Sequence, residues 1–319
     1  MFEHVLVPLD GSLLAESVLP HALSIAGACN AQITIMHVLV DQAPLRAPVD
    51  PGSWYFWKVE GKAYLQDIST RLYNQGWQCA TVLDEGHAAD RIIQYAHDNQ
   101  ISLIALSSHG RSGLSGWNIS SVVQKVLLRA GISVLIVPAY RNYPVNLADL
   151  RYERVFVPLD CSQRAEHVLP VAVKLAANHH ASLRLAHIVS RPEMPSHLPL
   201  PQKEVELCNQ VVERNQREAN RYLEEVHSRL ASGLFEIQTY VRVSENPIEA
   251  LHELLEREDA DLVILSAHGY SGSCRWFYGS VTLSFIAYGT IPLLILQDLS
   301  PERIRPTYAE LATKEQPVH

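Results

Sequence analysis

HVLVPLDGSLLAESVLPHAL, residues 4–23, returns 150 positions later as RVFVPLDCSQRAEHVLPVAV, residues 154–173, so Asp10 and Asp160 hold the same place in two copies. Each stretch begins as a short apolar run, reaches Pro-Leu-Asp, and continues with apolar residues three and four apart, the period of an amphipathic helix. A strand that delivers an aspartate to the start of a helix is therefore the opening unit of both halves. A second echo lies downstream, where SLIALSSHGRSG (102–113) reappears as DLVILSAHGYSG (261–272). The repeat spans whole domains, unlike the 20–50-residue units of solenoids.

Working outward, the first half alternates β-rich runs with helical periods. HVLVPL, QITIMHVL, WQCATVL, SLIALS and SVLIVP read as strands, and residues 13–28, 60–75, 89–99 and 120–130 as helices between them. The second half repeats the order with RVFVPL, SLRLAHIV, FEIQTYVRV, DLVILS and PLLILQ, and with helices near 163–178, 203–231, 247–257 and 279–288. Apolar strands joined by crossover helices imply an α/β fold: two tandem doubly wound, open, five-stranded parallel sheets of Rossmann-like form. The predicted boundaries are a first domain over 1–140, a linker over 141–153, a second domain over 154–298 and a polar tail over 299–319. Two Pro-rich stretches, 41–57 and 190–202, read as loops after the second strand of each half. The first carries Trp54, Tyr55, Phe56 and Trp57, expected to cover the sheet edge or the other domain, or to serve as a lid.

Composition narrows the classes of function. The 319 residues suit two domains of about 150, each able to bury a core. A net charge of −8 provides no basic field for nucleic acid or an anionic membrane surface. The start MFEHVLVPLD enters a strand at once, and no apolar run approaches a membrane span of about 18 residues, so a cytoplasmic protein is expected. Cys29, Cys79, Cys161, Cys208 and Cys274 are scattered without a C-x-x-C pair, which points to reduced thiols and to no metal held by protein groups alone.

In an open parallel sheet, ligands bind beyond the carboxyl ends of the strands where the connections reverse. Asp10 and Asp160 lie there, together with the turns SSHGRSGLSGWNISS (107–121) and SAHGYSGSCRWFYGS (266–280), each leading into a helix. Glycines and small hydroxyl residues before a helix N-terminus present backbone N–H groups to phosphate oxygens. The alternative for Gly110 and Gly269 is a purely structural turn needing positive φ. The constellation resembles the universal stress protein family, whose ATP-binding members show G-x-x-G, nine residues, then G-S or G-T, with a V-P-x-D start and an L-H-V second strand. The resemblance covers nearly the whole chain as a tandem pair. It implies an adenine nucleotide alpha hydrolase-like fold with pseudo-twofold symmetry, and antiparallel pairing of the fifth strands within one chain.

Mapped onto that pattern, the second domain reads Ser266-x-x-Gly269, nine residues, then Gly279-Ser280-Val281-Thr282. The first domain reads Ser107-x-x-Gly110, nine residues, then Ser120-Ser121-Val122-Val123, with two glycines missing. Nucleotide binding is thus expected first in the second domain, where Ser120 has no counterpart Cβ to narrow the phosphate space. Asp10 and Asp160 would bond ribose or adenine, act through Mg²⁺, or cap the first helix. Val38 and Ile188, after His37 and His187, match the position beside adenine, or are core strand residues. His109 and His268 are expected to bond backbone carbonyls inside their turns. No catalytic lysine or kinase-type loop occurs, and Arg111 and Arg275 are the nearby cations. The expected cofactor is ATP, or ADP or AMP, with Mg²⁺. The expected role is regulatory binding, with a homodimer and an unidentified protein partner as further expectations. Alternatives are a scaffold without nucleotide and, more weakly, an ATPase or nucleotidyl transferase. Oxidation of Cys161 or Cys274 would be a route to gating the second site.

Overall fold

The computed structural model describes residues 1–40, 51–111, 119–140, 150–192, 201–231, 233–269 and 278–298. The first half contains β1 (His4–Leu9), α1 (Leu13–Glu16), α2 (Leu19–Cys29), β2 (Gln32–Leu39), α3 (Pro51–Asn74), β3 (Ala80–Glu85), α4 (Ala88–Asp98), β4 (Leu103–Ser107), α5 (Ser121–Arg129) and β5 (Ser133–Val137). The second contains β6 (Arg154–Pro158), α6 (Gln163–Glu166), α7 (Leu169–His179), β7 (Ser182–Ser190), α8 (Gln202–Leu230), β8 (Ile237–Ser244), α9 (Pro247–Arg257), β9 (Leu262–Ser266), α10 (Ser280–Tyr288) and β10 (Leu293–Leu296).

Two local differences from the sequence expectation have simple causes. The helix expected over 13–28 is two helices, because Pro20 lacks the N–H that would continue α1 and instead sits in the first turn of α2. Pro170 divides α6 from α7 in the same way. The stretch 41–57 is not a loop throughout, since 51–57 form the first turns of α3. Pro51 stands at its first position, where a missing N–H breaks no helical bond. Residues 41–50 and 193–200, most of the linker and the tail lie outside the described residues.

The strands form one ten-stranded sheet in the order β3-β2-β1-β4-β5-β10-β9-β6-β7-β8. Pairing is parallel inside each half and antiparallel at the centre, where Leu135 faces Leu294 and Ile136 faces Leu293. Interior strands are apolar on both faces: Val5, Leu6 and Val7 of β1 are all fully buried. One face is covered by α2, α3, α7 and α8, through residues such as Ile68, Leu72, Leu175 and Val226. The other is covered by α4, α5, α9 and α10, through Ile92, Val126, Leu254 and Phe285. In each half the chain departs from its first strand in both directions, leaving crevices beside the ends of β1 and β4 and of β6 and β9. Among the described residues no helix is long and apolar enough to cross a membrane.

Candidate functional site

Asp10 leaves β1 into a turn that it organises itself. Its Oδ1 accepts from the Ser12 N–H at 3.0 Å and the Ser12 hydroxyl at 2.6 Å, and Ser12 in turn caps α1 by accepting from Ala15 N–H at 3.1 Å. Its Oδ2 accepts the Arg111 N–H at 2.5 Å, which ties the end of β1 to the turn after β4. The second copy repeats the arrangement, with Ser162 N–H donating to Asp160 Oδ1 at 3.0 Å and Ser162 capping α6.

Neither Gly110 nor Gly269 adopts the positive φ of the alternative, purely structural reading, and both are needed for another reason. A methyl group on either would collide with Oδ2 of Asp10 or Asp160. Glycine here permits the close approach of a carboxylate to the turn.

The two helix mouths match in backbone and differ in side chain. Ser120 (φ −71°, ψ 162°) and Gly279 (φ −70°, ψ 164°) are the N-cap residues of α5 and α10. The Ser120 hydroxyl turns back to accept from Val123 N–H at 3.4 Å. The N–H groups of Ser121 and Val122, and of Ser280 and Val281, have no acceptor within their helices, as at any helix start. Ser107 is buried with its hydroxyl 3.2 Å from that of Ser17. The Ser266 hydroxyl donates to the His268 carbonyl at 2.5 Å, and Thr282 donates to the Ser266 carbonyl at 2.9 Å, so both serve the turn itself. His109 Nδ1 lies 3.0 Å from the Ser108 hydroxyl, and His268 Nδ1 lies 2.5 Å from Asp298. His37 and His187 bond carbonyls, those of Leu9 and Leu159, at 2.7 and 2.8 Å. Val38 is buried and Ile188 half-buried on the strands that these histidines fasten to β1 and β6.

In the first half these parts enclose a cavity of about 540 Å³. Asp10, Val38, Ser107, Gly110, Ser120, Ser121 and Val122 all line it. Met36, Val38 and Ile92 make an apolar wall, and the first turn of α5 makes a wall of backbone N–H groups. Trp57, Glu60, Gly61 and Tyr64 of α3 also line it, as does Arg111, and of these Glu60, Gly61 and Tyr64 escaped the sequence reading. Their spacing of three, four and seven from Trp57 is the helical signal that would have found them once α3 was extended through 57. Gly61 lets α3 lie close, since a methyl there would sit 2.9 Å from Leu83 and 3.3 Å from His37. Trp57 meets Trp54 edge-on at 5.9 Å, while Tyr55 and Phe56 face outward, so the aromatic group is split between the cavity rim and the surface. The Tyr64 hydroxyl donates to Glu16 at 3.2 Å, and Arg71 pairs with the same carboxylate at 2.8 Å. Burial, and then Glu16, push the Tyr64 hydroxyl well above its usual range and keep it a donor.

In the second half Gly269 lies against Asp160, Gly279 lies by the Ala267–Gly269 backbone, Thr282 bonds the Ser266 carbonyl, and Ser280 and Val281 begin α10, but 270–277, including Cys274 and Arg275, lie outside the described residues. Cys161 occupies the place of Gly11 with φ of 66°, its Sγ 3.8 Å from His187 Nδ1. Burial, then Asp160 and Glu166, raise its thiol to about 11, so at neutral pH it is protonated and a poor target for oxidation. Among the described residues no cluster of three His, Cys, Asp or Glu could hold a metal ion.

Residues 1–138 and 151–297 each match the universal stress protein family. The chain belongs to this family. Universal stress protein Mb2028c of Mycobacterium bovis is 23% identical over 313 residues, covering 91% of this chain and 96% of its own length, so the tandem arrangement is shared end to end. Universal stress protein MJ0531 of Methanocaldococcus jannaschii is 28% identical over 141 residues, 43% of this chain and 82% of that protein, which is one domain's worth. A solved universal stress protein from Archaeoglobus fulgidus superposes with a TM-score of 0.66 at 20% identity, covering 92% of this chain and 98% of the other. That likeness supports the fold of this tandem universal stress protein and nothing finer.

Proposed function

We propose that this universal stress protein binds an adenine nucleotide, as ATP, ADP or AMP, in the first-domain cavity and acts by binding rather than by catalysis. One observation carries the reading: a cavity of about 540 Å³ at the reversal of the sheet, apolar at Met36, Val38 and Ile92 and lined at its other side by the start of α5. That volume falls within the range of small-molecule sites, and the pairing of an apolar wall with helix N–H groups suits a base and a phosphate chain. Val38 and Met36 would flank the base and Ser121 and Val122 N–H would meet phosphate. Asp10, whose Oδ1 and Oδ2 already accept three hydrogen bonds, has lone pairs left for a ribose hydroxyl. Mg²⁺ would arrive with the phosphates and supply charge neutralisation there.

Among the described residues lysine is absent from the cavity lining, so hydrolysis should be slow at most. The second domain keeps more of the family glycine pattern and is a second candidate site. The continuous sheet suits a protein whose two domains move as one body, in the cytoplasm, toward a regulatory partner or a second copy.

The test is thermal unfolding of the full chain with and without Mg-ATP, paired with native mass spectrometry to count bound nucleotides. At a ligand concentration of 100 times the dissociation constant, folding should gain about 2.7 kcal/mol. An unchanged midpoint at millimolar ATP, with no bound mass, would sink the reading in favour of a scaffold. That second reading draws on Ser107, Ser120 and Ser266, whose hydroxyls are engaged within the protein. Phosphate release above the buffer rate would instead favour an ATPase.

A further inference from the structure

Arg111 stands over Gly11 in the first cavity. Gly11 has φ of +82°, and a methyl on it would come within 3.1 Å of Arg111 Nη2, so the guanidinium rests against bare backbone. Asp10 turns Oδ2 to the Arg111 N–H and Oδ1 to Ser12, and among the described residues the guanidinium makes no ion pair with it or with any other carboxylate. It lines the same cavity as Ser121 and Val122 at the start of α5, and Glu60 is the remaining acid there besides Asp10. In the second copy both members of the pair differ, with Cys161 in place of Gly11 and Tyr270 in place of Arg111.

Resting on the nucleotide reading above, we infer that the Gly11–Arg111 pair makes the first domain selective for the length of the phosphate chain. The N–H groups of α5 suffice for one phosphate group. A longer chain adds charge beyond them, and an unpaired guanidinium at the cavity edge offers two parallel donors to it. Gly11 matters because a side chain there would displace that guanidinium. The second domain, with a thiol and a phenol at these positions, lacks the discrimination.

The experiment is calorimetric titration of the full chain with Mg-ATP, ADP and AMP, comparing wild type with Arg111→Gln and with Gly11→Ala. Wild type should bind ATP about tenfold or more tightly than AMP at one site, as expected for one charge-assisted contact. Arg111→Gln should erase that ratio by weakening ATP while AMP affinity changes by less than about twofold, and Gly11→Ala should act in the same direction. Arg111→Gln exchanges an exposed side chain, so unfolding midpoints equal to wild type verify an intact fold. Equal loss of ATP and AMP, or an unchanged ratio, overturns the inference while leaving the nucleotide site in place. Absence of binding by the wild type overturns the underlying reading and this inference with it.

Discussion

Gly110 lies so close to Asp10 that a methyl on its α-carbon would overlap the carboxylate Oδ2, and Gly269 stands in the same relation to Asp160. The two ends of each family pattern therefore differ in what they tolerate. Gly110→Ala must push away a carboxylate that organises three hydrogen bonds and should cost about 1–3 kcal/mol. At Gly279 a methyl meets nothing nearer than 3.7 Å among the described residues, and the backbone matches that of Ser120. Gly279→Ser should be neutral or stabilise by a few tenths of a kcal/mol through a new N-cap bond, about the gap between glycine and serine caps. Urea denaturation of both variants decides the contrast, and equal costs would contradict it.

A buried polar cluster joins the halves across α2 and α7. Tyr152 N–H donates to His179 Nδ1 at 3.3 Å, which leaves the proton on Nε2 to donate to Ser24 at 2.7 Å, and His21 Nδ1 meets the Tyr152 hydroxyl at 2.7 Å. Burial, reinforced by Arg151, lowers His179 to about 4. The unfolded chain therefore binds a proton that the folded one refuses, so stability is complete above about pH 6.5 and falls as pH drops toward 4. The loss should be on the order of 2–3 kcal/mol, and His179→Gln should flatten that part of the profile. Unfolding midpoints from pH 7 to 4 for both proteins test this; parallel curves would refute it.

The central junction is held by side chains as well as by β5 and β10. The buried Tyr278 hydroxyl donates to the Leu127 carbonyl of the other half at 3.1 Å, and Gln297 N–H donates to Ser133 Oγ at 3.1 Å. Tyr278→Phe should cost about 1 kcal/mol, the net worth of one hydrogen bond. Leu294→Asp, which buries a charge opposite Leu135, should cost more than about 3 kcal/mol and lower the cooperativity of unfolding. Tryptophan fluorescence and circular dichroism melts would reveal the ordering, and a milder Leu294→Asp would show that the halves do not depend on one another.

Cys161 occupies the left-handed region at φ 66°, where its counterpart is Gly11. Cys161→Gly should relieve strain of about 1 kcal/mol, partly offset by the greater freedom of glycine when unfolded. With its thiol near 11, the residue should alkylate with iodoacetamide far more slowly at pH 7 than a free cysteine. Rapid labelling at pH 7 would contradict the raised thiol.

Duplication, the strand and helix order and the place of the crevice were legible because local periodicity and the repeat of VPLD and S-x-HG record them directly. Helix α3 was missed at its start because prolines near 51 read as breakers, and a first-turn proline leaves the same trace as a loop. That left Trp57 on a loop rather than on a helix and concealed Glu60, Gly61 and Tyr64 as one wall of the cavity.

What the sequence by itself determined is two copies of one α/β unit, each bringing an aspartate and a glycine turn to the same end of a parallel sheet, since these depend on contacts between near neighbours. Only the tertiary structure decided why the glycines are there, where the turn histidines point, and that Arg111 comes to rest on Gly11, 100 residues away. Such pairings follow from how strands separated by whole helices come together, and close approach in space leaves no period along the chain.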